Sequence, residues 1–194
     1  MANATVLIVP GLRDHAQDHW QTLLAARLPR AVTVEPMGRD NVDLQMRIDA
    51  IEAAANAIRG PLIVVAHSAG CIMAAHWAAR TKRPVDGALL AVPPDLETPM
   101  PEGYPTVEAL RAAGWFPVPH KPLPFPSIVA LSENDPLGQI DRVLELGRAW
   151  GARLINLGDV GHLNPASGYG DWPLADKLIG ELTNKSAHKF QFTE

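Results

Sequence analysis

The sequence predicts a three-layer α/β/α domain on a mainly parallel sheet of about six strands. Three observations lead there. Short β-branched runs recur at Thr5–Val9, Ala31–Glu35, Leu62–Ala66, Ala88–Val92, Ile128–Leu131 and Arg153–Leu157. Their apolar character is near-continuous, as expected of parallel strands covered on both faces. Between them lie stretches with apolar residues at helical spacing, so strand and helix alternate and right-handed crossovers join them.

Each helix has its own signal. Trp20, Leu23, Leu24 and Leu28 mark the first, which ends near Pro29. Over Asp43–Arg59, Leu44, Ile48, Ile51, Ala55 and Ile58 form one apolar stripe, and Gly60-Pro61 stops it. Ile140, Val143, Leu144 and Trp150 mark another helix before Gly151. Leu174, Leu178, Ile179 and Leu182 mark a last one, with Pro173 at a good first-turn position. A single domain over 1–183 accounts for the pattern, followed by a polar tail at 184–194. One interval breaks the alternation. Ten of the eighteen prolines fall between Pro93 and Pro126, around one short helical pattern at Thr106–Ala113. This reads as a proline-stiffened, cap-like insertion whose Trp115 and Phe116 wall a pocket.

Composition excludes several function classes. The 194 residues are 47% hydrophobic, which rules out an intrinsically disordered chain. The formal charge is −4, with no basic stripe, so no nucleic-acid partner is expected. The longest apolar runs, Pro61–Ala66 and Ala88–Val92, fall far short of a membrane span, and no membrane partner is expected. The N-terminus lacks a basic region and a secretory apolar stretch, so the expectation is a cytoplasmic domain. Cys71 is the single cysteine, which excludes an internal disulfide framework. No histidine pair has a third ligand at metal-site spacing, so no metal is expected.

In doubly wound sheets the ligand site lies beyond the carboxyl ends of the strands. After the third predicted strand stands Ala66-His67-Ser68-Ala69-Gly70, then an alanine-rich helix. Strand, small residue, x, Ser, x, Gly, helix is the order of the nucleophile elbow of α/β hydrolases. The small residues let strand and helix pass closely around a strained serine. Ser68 would stand at the positive end of the following helix, and the Ala69 N–H would face a developing oxyanion. A bare helix cap is the competing reading of Ser68.

A serine nucleophile needs a base, and the base an orienting acid. Asp135 follows the fifth strand and His162 the sixth, in the order Ser, Asp, His. Glu133 and Asp159 are competing acids, and Asp159 is too close in sequence to His162 to be preferred. Leu12, beside the permissive Gly11 after the first strand, is the candidate second oxyanion donor. Gly11 and His67 are expected to line the pocket, His67 mainly as a structural residue. His15 and His19 are expected to hold the first loop, His76 to pack or hydrogen-bond, and Cys71 to be a packed thiol.

These residues carry a resemblance. Val9-Pro10-Gly11, His19-Trp20-Gln21, the Ala66–Gly70 elbow, Pro124-Phe125-Pro126-Ser127, Ser132–Pro136, Gly161-His162-Leu163-Asn164 and Ser167–Pro173 are similar to small serine hydrolases related to retinoblastoma-binding protein 9. These belong to a minimal branch of the α/β-hydrolase superfamily. The resemblance implies a triad mapping onto Ser68, Asp135 and His162. It also implies hydrolysis of a small acyl compound without a cofactor. Binding to the retinoblastoma protein is associated with a Leu-x-Cys-x-Glu segment, and the context of Cys71 has none, so that partner is not expected. Two rival readings are a non-catalytic interaction module on the same scaffold and a Rossmann-like nucleotide binder. The ordered set of Ser, Asp and His argues against the first, and the missing glycine fingerprint against the second.

Overall fold

A computed structural model describes residues 4–189, with side chains through Asn184. The strands are β1 (Thr5–Val9), β2 (Ala31–Thr33), β3 (Leu62–His67), β4 (Gly87–Ala91), β5 (Ser127–Leu131) and β6 (Arg153–Asn156). The helices are α1 (Trp20–Arg27), α2 (Leu44–Ala57), α3 (Ala69–Ala78), α4 (Val107–Ala112), α5 (Ile140–Ala149) and α6 (Leu174–Lys189). All six strands are parallel, in the order β2-β1-β3-β4-β5-β6. The chain runs outward from β1 to β2, then returns to β3 and proceeds the other way. That reversal opens a crevice between the carboxyl ends of β1 and β3, where ligands bind in such sheets.

Strand alternation sorts the core into two halves. Leu7, Val9, Leu62, Val64 and Ala66 face one layer, packed by α2, α3 and α5. Val6, Ile8, Ile63 and Val65 face the other, packed by α1 and α6. Strands covered on both faces carry apolar residues at every position, which is why their runs are continuous in sequence. β2 and β6 are the edges and are the least buried strands. Trp20, Trp77, Trp115 and Trp150 are fully buried. At about 25 cal/mol per Å2 and 150–250 Å2 per aromatic, each contributes roughly 4–6 kcal/mol before entropy is charged.

Local chemistry sets the helix ends. Asp43 caps α2 by accepting from the Met46 N–H at 2.9 Å, and Thr106 caps α4 through the Ala109 N–H at 3.1 Å. His19 caps α1 with its ring, Nδ1 accepting from the Gln21 N–H at 3.2 Å.

Two sequence expectations change here. The tail was expected from 184, but α6 continues to Lys189; residues 190–194 lie outside the described residues. The Pro93–Pro126 segment does cross the carboxyl edge of the sheet, but Trp115 does not wall a pocket. Its ring is 0% exposed and lies in the core with α2, where Nε1 donates to the Val42 carbonyl at 2.7 Å. A buried indole N–H needs an acceptor, and Val42 supplies one only on the inner side. Phe116 is corrected as well. It packs partly against the core beneath the Arg111 guanidinium, 4.5 Å from its ring, and borders a separate open depression with Glu97 and Pro117.

Candidate active site

Ser68 sits between β3 and α3 with φ 57° and ψ −135°. A left-handed φ at a non-glycine residue costs about 1–3 kcal/mol and persists where the surroundings enforce it. Gly70 is part of that enforcement. A Cβ there would stand 2.5 Å from the Val9 carbonyl oxygen and 2.7 Å from that of Pro10. Gly11 is the second close approach: its missing Cβ would lie 2.9 Å from Ser68 Cβ and 3.3 Å from Oγ. The remaining non-glycine residues with positive φ, among those described, are Val92 and Leu163, both at 45°. Val92 directly follows β4 and Leu163 follows His162, so all three strained residues stand just beyond a strand or beside the site.

Ser68, His162 and Asp135 form one hydrogen-bonded chain. His162 Nδ1 lies 2.9 Å and 3.0 Å from the two Asp135 oxygens. A carboxylate only accepts, so Nδ1 carries the proton and Nε2 of the neutral ring is left as an acceptor. Ser68 Oγ lies 2.8 Å from that Nε2. The His162 and Asp135 side chains are only 6% and 2% exposed. Asp135 Oδ1 also accepts from the Leu137 N–H at 2.9 Å, which fixes the carboxylate on its turn. The competing acids stand apart from this chain: Glu133 is exposed and accepts from Asn156 Nδ2 at 2.6 Å, and Asp159 is exposed.

Surrounding residues hold the His162 loop. His67 Nε2 donates to the His162 carbonyl at 2.9 Å, and the His162 N–H donates to Ser167 Oγ at 3.0 Å. Asn134 Oδ1 accepts from the Gly161 N–H at 2.6 Å and the Ser132 hydroxyl at 3.0 Å, joining the loops after β5 and β6. The His19 ring stands edge-on to His67, with centroids 4.7 Å apart. Gln21 Nε2 donates to the carbonyls of Val9 and Val65 at 3.2 and 3.3 Å, tying α1 to β1 and β3. Cys71 is buried, and its thiol donates to the Ala91 carbonyl at 3.4 Å; burial pushes its pKa well up, so it is the packed thiol expected of it. His76 donates from Nε2 to the Trp115 carbonyl at 3.1 Å.

Ser68 opens into a pocket of about 470 Å3, mouth included. Gly11, Leu12, His67, Ser68, Ala69 and His162 line it, all anticipated from sequence. Ala69 is the first residue of α3, so its N–H has no partner within the helix. The other walls were not anticipated. They are Arg13 and Arg39 from the loops after β1 and β2, Asn164 beside the histidine, and Pro94, Leu96, Met100, Tyr104 and Leu137; His19, expected only to hold the first loop, lines the pocket as well. Arg142 anchors this part of the insertion to α5, with Nε 3.2 Å from Asp95 and Nη2 2.6 Å from Glu97. The rule that sites gather after strands is the one signal that could have found Arg13 and Arg39. Nothing local marked the others, since no periodicity governs a loop. Among the described residues, no group of three or more His, Cys, Asp or Glu is placed to hold a metal ion. No helix among them is long and apolar enough to cross a membrane.

The pattern now has a counterpart among known proteins. A family model described as serine hydrolase matches residues 6–181. The chain belongs to that serine hydrolase family. No curated protein matches it. A putative YdeN-like hydrolase from Pectobacterium atrosepticum is similar over 94% of this chain and 92% of its own, at 26% identity and a TM-score of 0.80. The ydeN gene product of B. subtilis is 16% identical over 94% of this chain and 100% of its own, with a TM-score of 0.71. A putative non-heme bromoperoxidase, BpoC, from Mycobacterium tuberculosis shares the fold at 12% identity over 95% and 93% of the two chains, with a TM-score of 0.68. The fold is that of the α/β hydrolases, and the resemblance to the proteins related to retinoblastoma-binding protein 9 is consistent with the family.

The buried histidines are expected to make this serine hydrolase acid-sensitive. Burial, then Arg13 and His162, lowers the His19 pKa to about 3. Burial, then His162 and His19, holds His67 well below its usual value, and burial lowers His76. Each ring stays neutral in the folded chain but takes a proton in the unfolded chain below about pH 6.5. The stabilisation is therefore complete above that pH and is lost as pH falls toward the depressed folded values. Each such histidine adds a slope of about 1.4 kcal/mol per pH unit within that window. The urea midpoint is expected to drop clearly between pH 7.5 and pH 5. An unchanged midpoint would contradict the neutral cluster.

Proposed function

We propose that the chain cleaves a small ester or related acyl compound through a covalent acyl-enzyme on Ser68. The observation that carries this is the chain Ser68 Oγ–His162 Nε2–Asp135, with links of 2.8 and 2.9 Å, opening into a pocket at a strained elbow. His162 removes the Ser68 proton as Oγ attacks the acyl carbonyl. Asp135 keeps Nδ1 protonated and stabilises the imidazolium. The backbone N–H groups of Leu12 and Ala69 receive the oxyanion, an interaction worth about two to three orders of magnitude per donor. As the tetrahedral intermediate collapses, His162 returns the proton to the leaving alcohol. Water, deprotonated by the same imidazole, then attacks the acyl-enzyme and releases the acid and Ser68.

The test is a fluorophosphonate probe with the adduct located by mass spectrometry. One phosphonyl group is expected on Ser68, and labelling is expected to vanish in His162→Ala. An adduct on another residue, or none on well-folded protein, would overturn the reading and favour a non-catalytic interaction module.

A further inference from the structure

The pocket beside Ser68 holds two guanidinium groups, while no aspartate or glutamate contributes to its wall. Asp135, the acid hydrogen-bonded to His162, is engaged behind that ring. Arg13 donates from Nη1 to the Asp14 carbonyl at 2.9 Å and from Nη2 to Gln21 Oε1 at 3.5 Å. Its Nε is buried without a partner. Arg39 donates to the carbonyls of Leu12 at 3.4 Å and Gly103 at 3.2 Å, and its guanidinium lies 4.3 Å from the centroid of the Tyr104 ring. Among the described residues, neither guanidinium hydrogen-bonds to a carboxylate.

An arginine cannot shed its proton at ordinary pH, so both charges persist. Burial lowers the Arg13 pKa, and none of its hydrogen bonds goes to a carboxylate. A part-buried, uncompensated cation is unfavourable until an anion joins it. A guanidinium fork binds a carboxylate in bidentate fashion. The rest of the wall includes the apolar Pro94, Leu96, Met100 and Leu137. The reach is short: Gly11 touches Ser68, and the Arg13 Cα is two residues on, within about 7.6 Å along the chain.

We propose that the pocket takes a short acyl compound carrying an anionic group, a carboxylate in the simplest case, held by Arg13 and Arg39 close to the reacting carbonyl. This rests on the hydrolase reading for the place of the carbonyl; binding of the anion does not depend on turnover.

The experiment therefore begins with binding to the Ser68→Ala protein. Monomethyl glutarate is titrated against neutral dimethyl glutarate by calorimetry, placing the charge on the acyl side. Acetoxyacetate against methyl acetoxyacetate places it on the leaving-group side. In at least one pair the anionic member is expected to bind about tenfold tighter, with a preference that shrinks as NaCl rises. Adding Arg39→Gln, at an exposed position that leaves the core intact, is expected to reduce that preference at least threefold, and Arg13→Gln to reduce it further. Equal binding within both pairs, or a preference unmoved by Arg39→Gln, would overturn the proposal. Turnover of the same four compounds by the unmodified protein separates the two readings. Anion-selective binding without any hydrolysis leaves the anion site standing and removes the catalytic role of Ser68. Hydrolysis of charged and neutral members with equal binding does the reverse.

Discussion

Ser68→Ala is expected to lower kcat toward short activated esters by roughly 10^5–10^6-fold, the scale seen when a nucleophilic serine is removed from a triad. The protein should remain folded, because the change removes one oxygen and keeps Cβ. Asp135→Asn is expected to cost about 10^4-fold, because an amide presents a donor to Nδ1 and favours the wrong imidazole tautomer. The three side chains act as one unit. The double variant Ser68→Ala/His162→Ala should therefore be no slower than Ser68→Ala alone. Stopped assays with a 4-nitrophenyl ester, corrected for spontaneous hydrolysis, measure all three. Ser68→Ala retaining more than about a hundredth of the activity would exclude Ser68 as the nucleophile. A multiplicative double variant would mean that Ser68 and His162 act independently, which the 2.8 Å contact between them contradicts.

Much of this arrangement was legible in the residues because it depends on short-range requirements. Parallel strands covered on both faces must be apolar throughout, so the runs around Val64 and Leu90 declare themselves. The elbow must be small at Ala66 and Gly70, so Ser68 stands out against other serines. Asp135 and His162 became readable once the strands before them were placed. The pocket walls were harder to read, and Trp115 shows why. A large aromatic in a proline-rich insertion at the mouth of the sheet looks like a wall. Its destination was decided by an acceptor 73 positions away, the Val42 carbonyl, and no local pattern encodes that. Arg39, Tyr104 and Leu96 meet at the pocket through loops that follow different strands. Their convergence is a property of the sheet order rather than of any segment. The first strand-to-helix loop falls between these extremes. Gly11 was readable as a permissive pocket residue and His19 as one that holds the loop, but that Arg13 makes no hydrogen bond to a carboxylate follows only from the packed structure.

Gly70→Ala is expected to be among the most damaging single methyl groups that can be added to this chain. The new Cβ would lie 2.5 Å and 2.7 Å from the carbonyl oxygens of Val9 and Pro10, and both are backbone atoms at the end of β1. Neither can rotate away. The first turn of α3 would have to lift from the end of β1, and Ser68 and Ala69 would move with it. Loss of more than about 4 kcal/mol is expected, in the range reserved for severe overpacking or strain. Any protein that still folds should lose turnover as well, since the Ser68–His162 contact and the Ala69 N–H shift together. Gly180→Ala supplies the opposite sign. That glycine is within α6, where an added Cβ meets nothing within 4 Å. The same methyl group there relieves the helix of glycine's backbone entropy and is expected to stabilise by about 0.5–1 kcal/mol. Urea denaturation of the two variants beside the parent decides the matter. If Gly70→Ala unfolds at the parent's midpoint with any turnover of the parent intact, the tight passage of α3 over the end of β1 is wrong. The account of how the fold strains Ser68 would then fail with it.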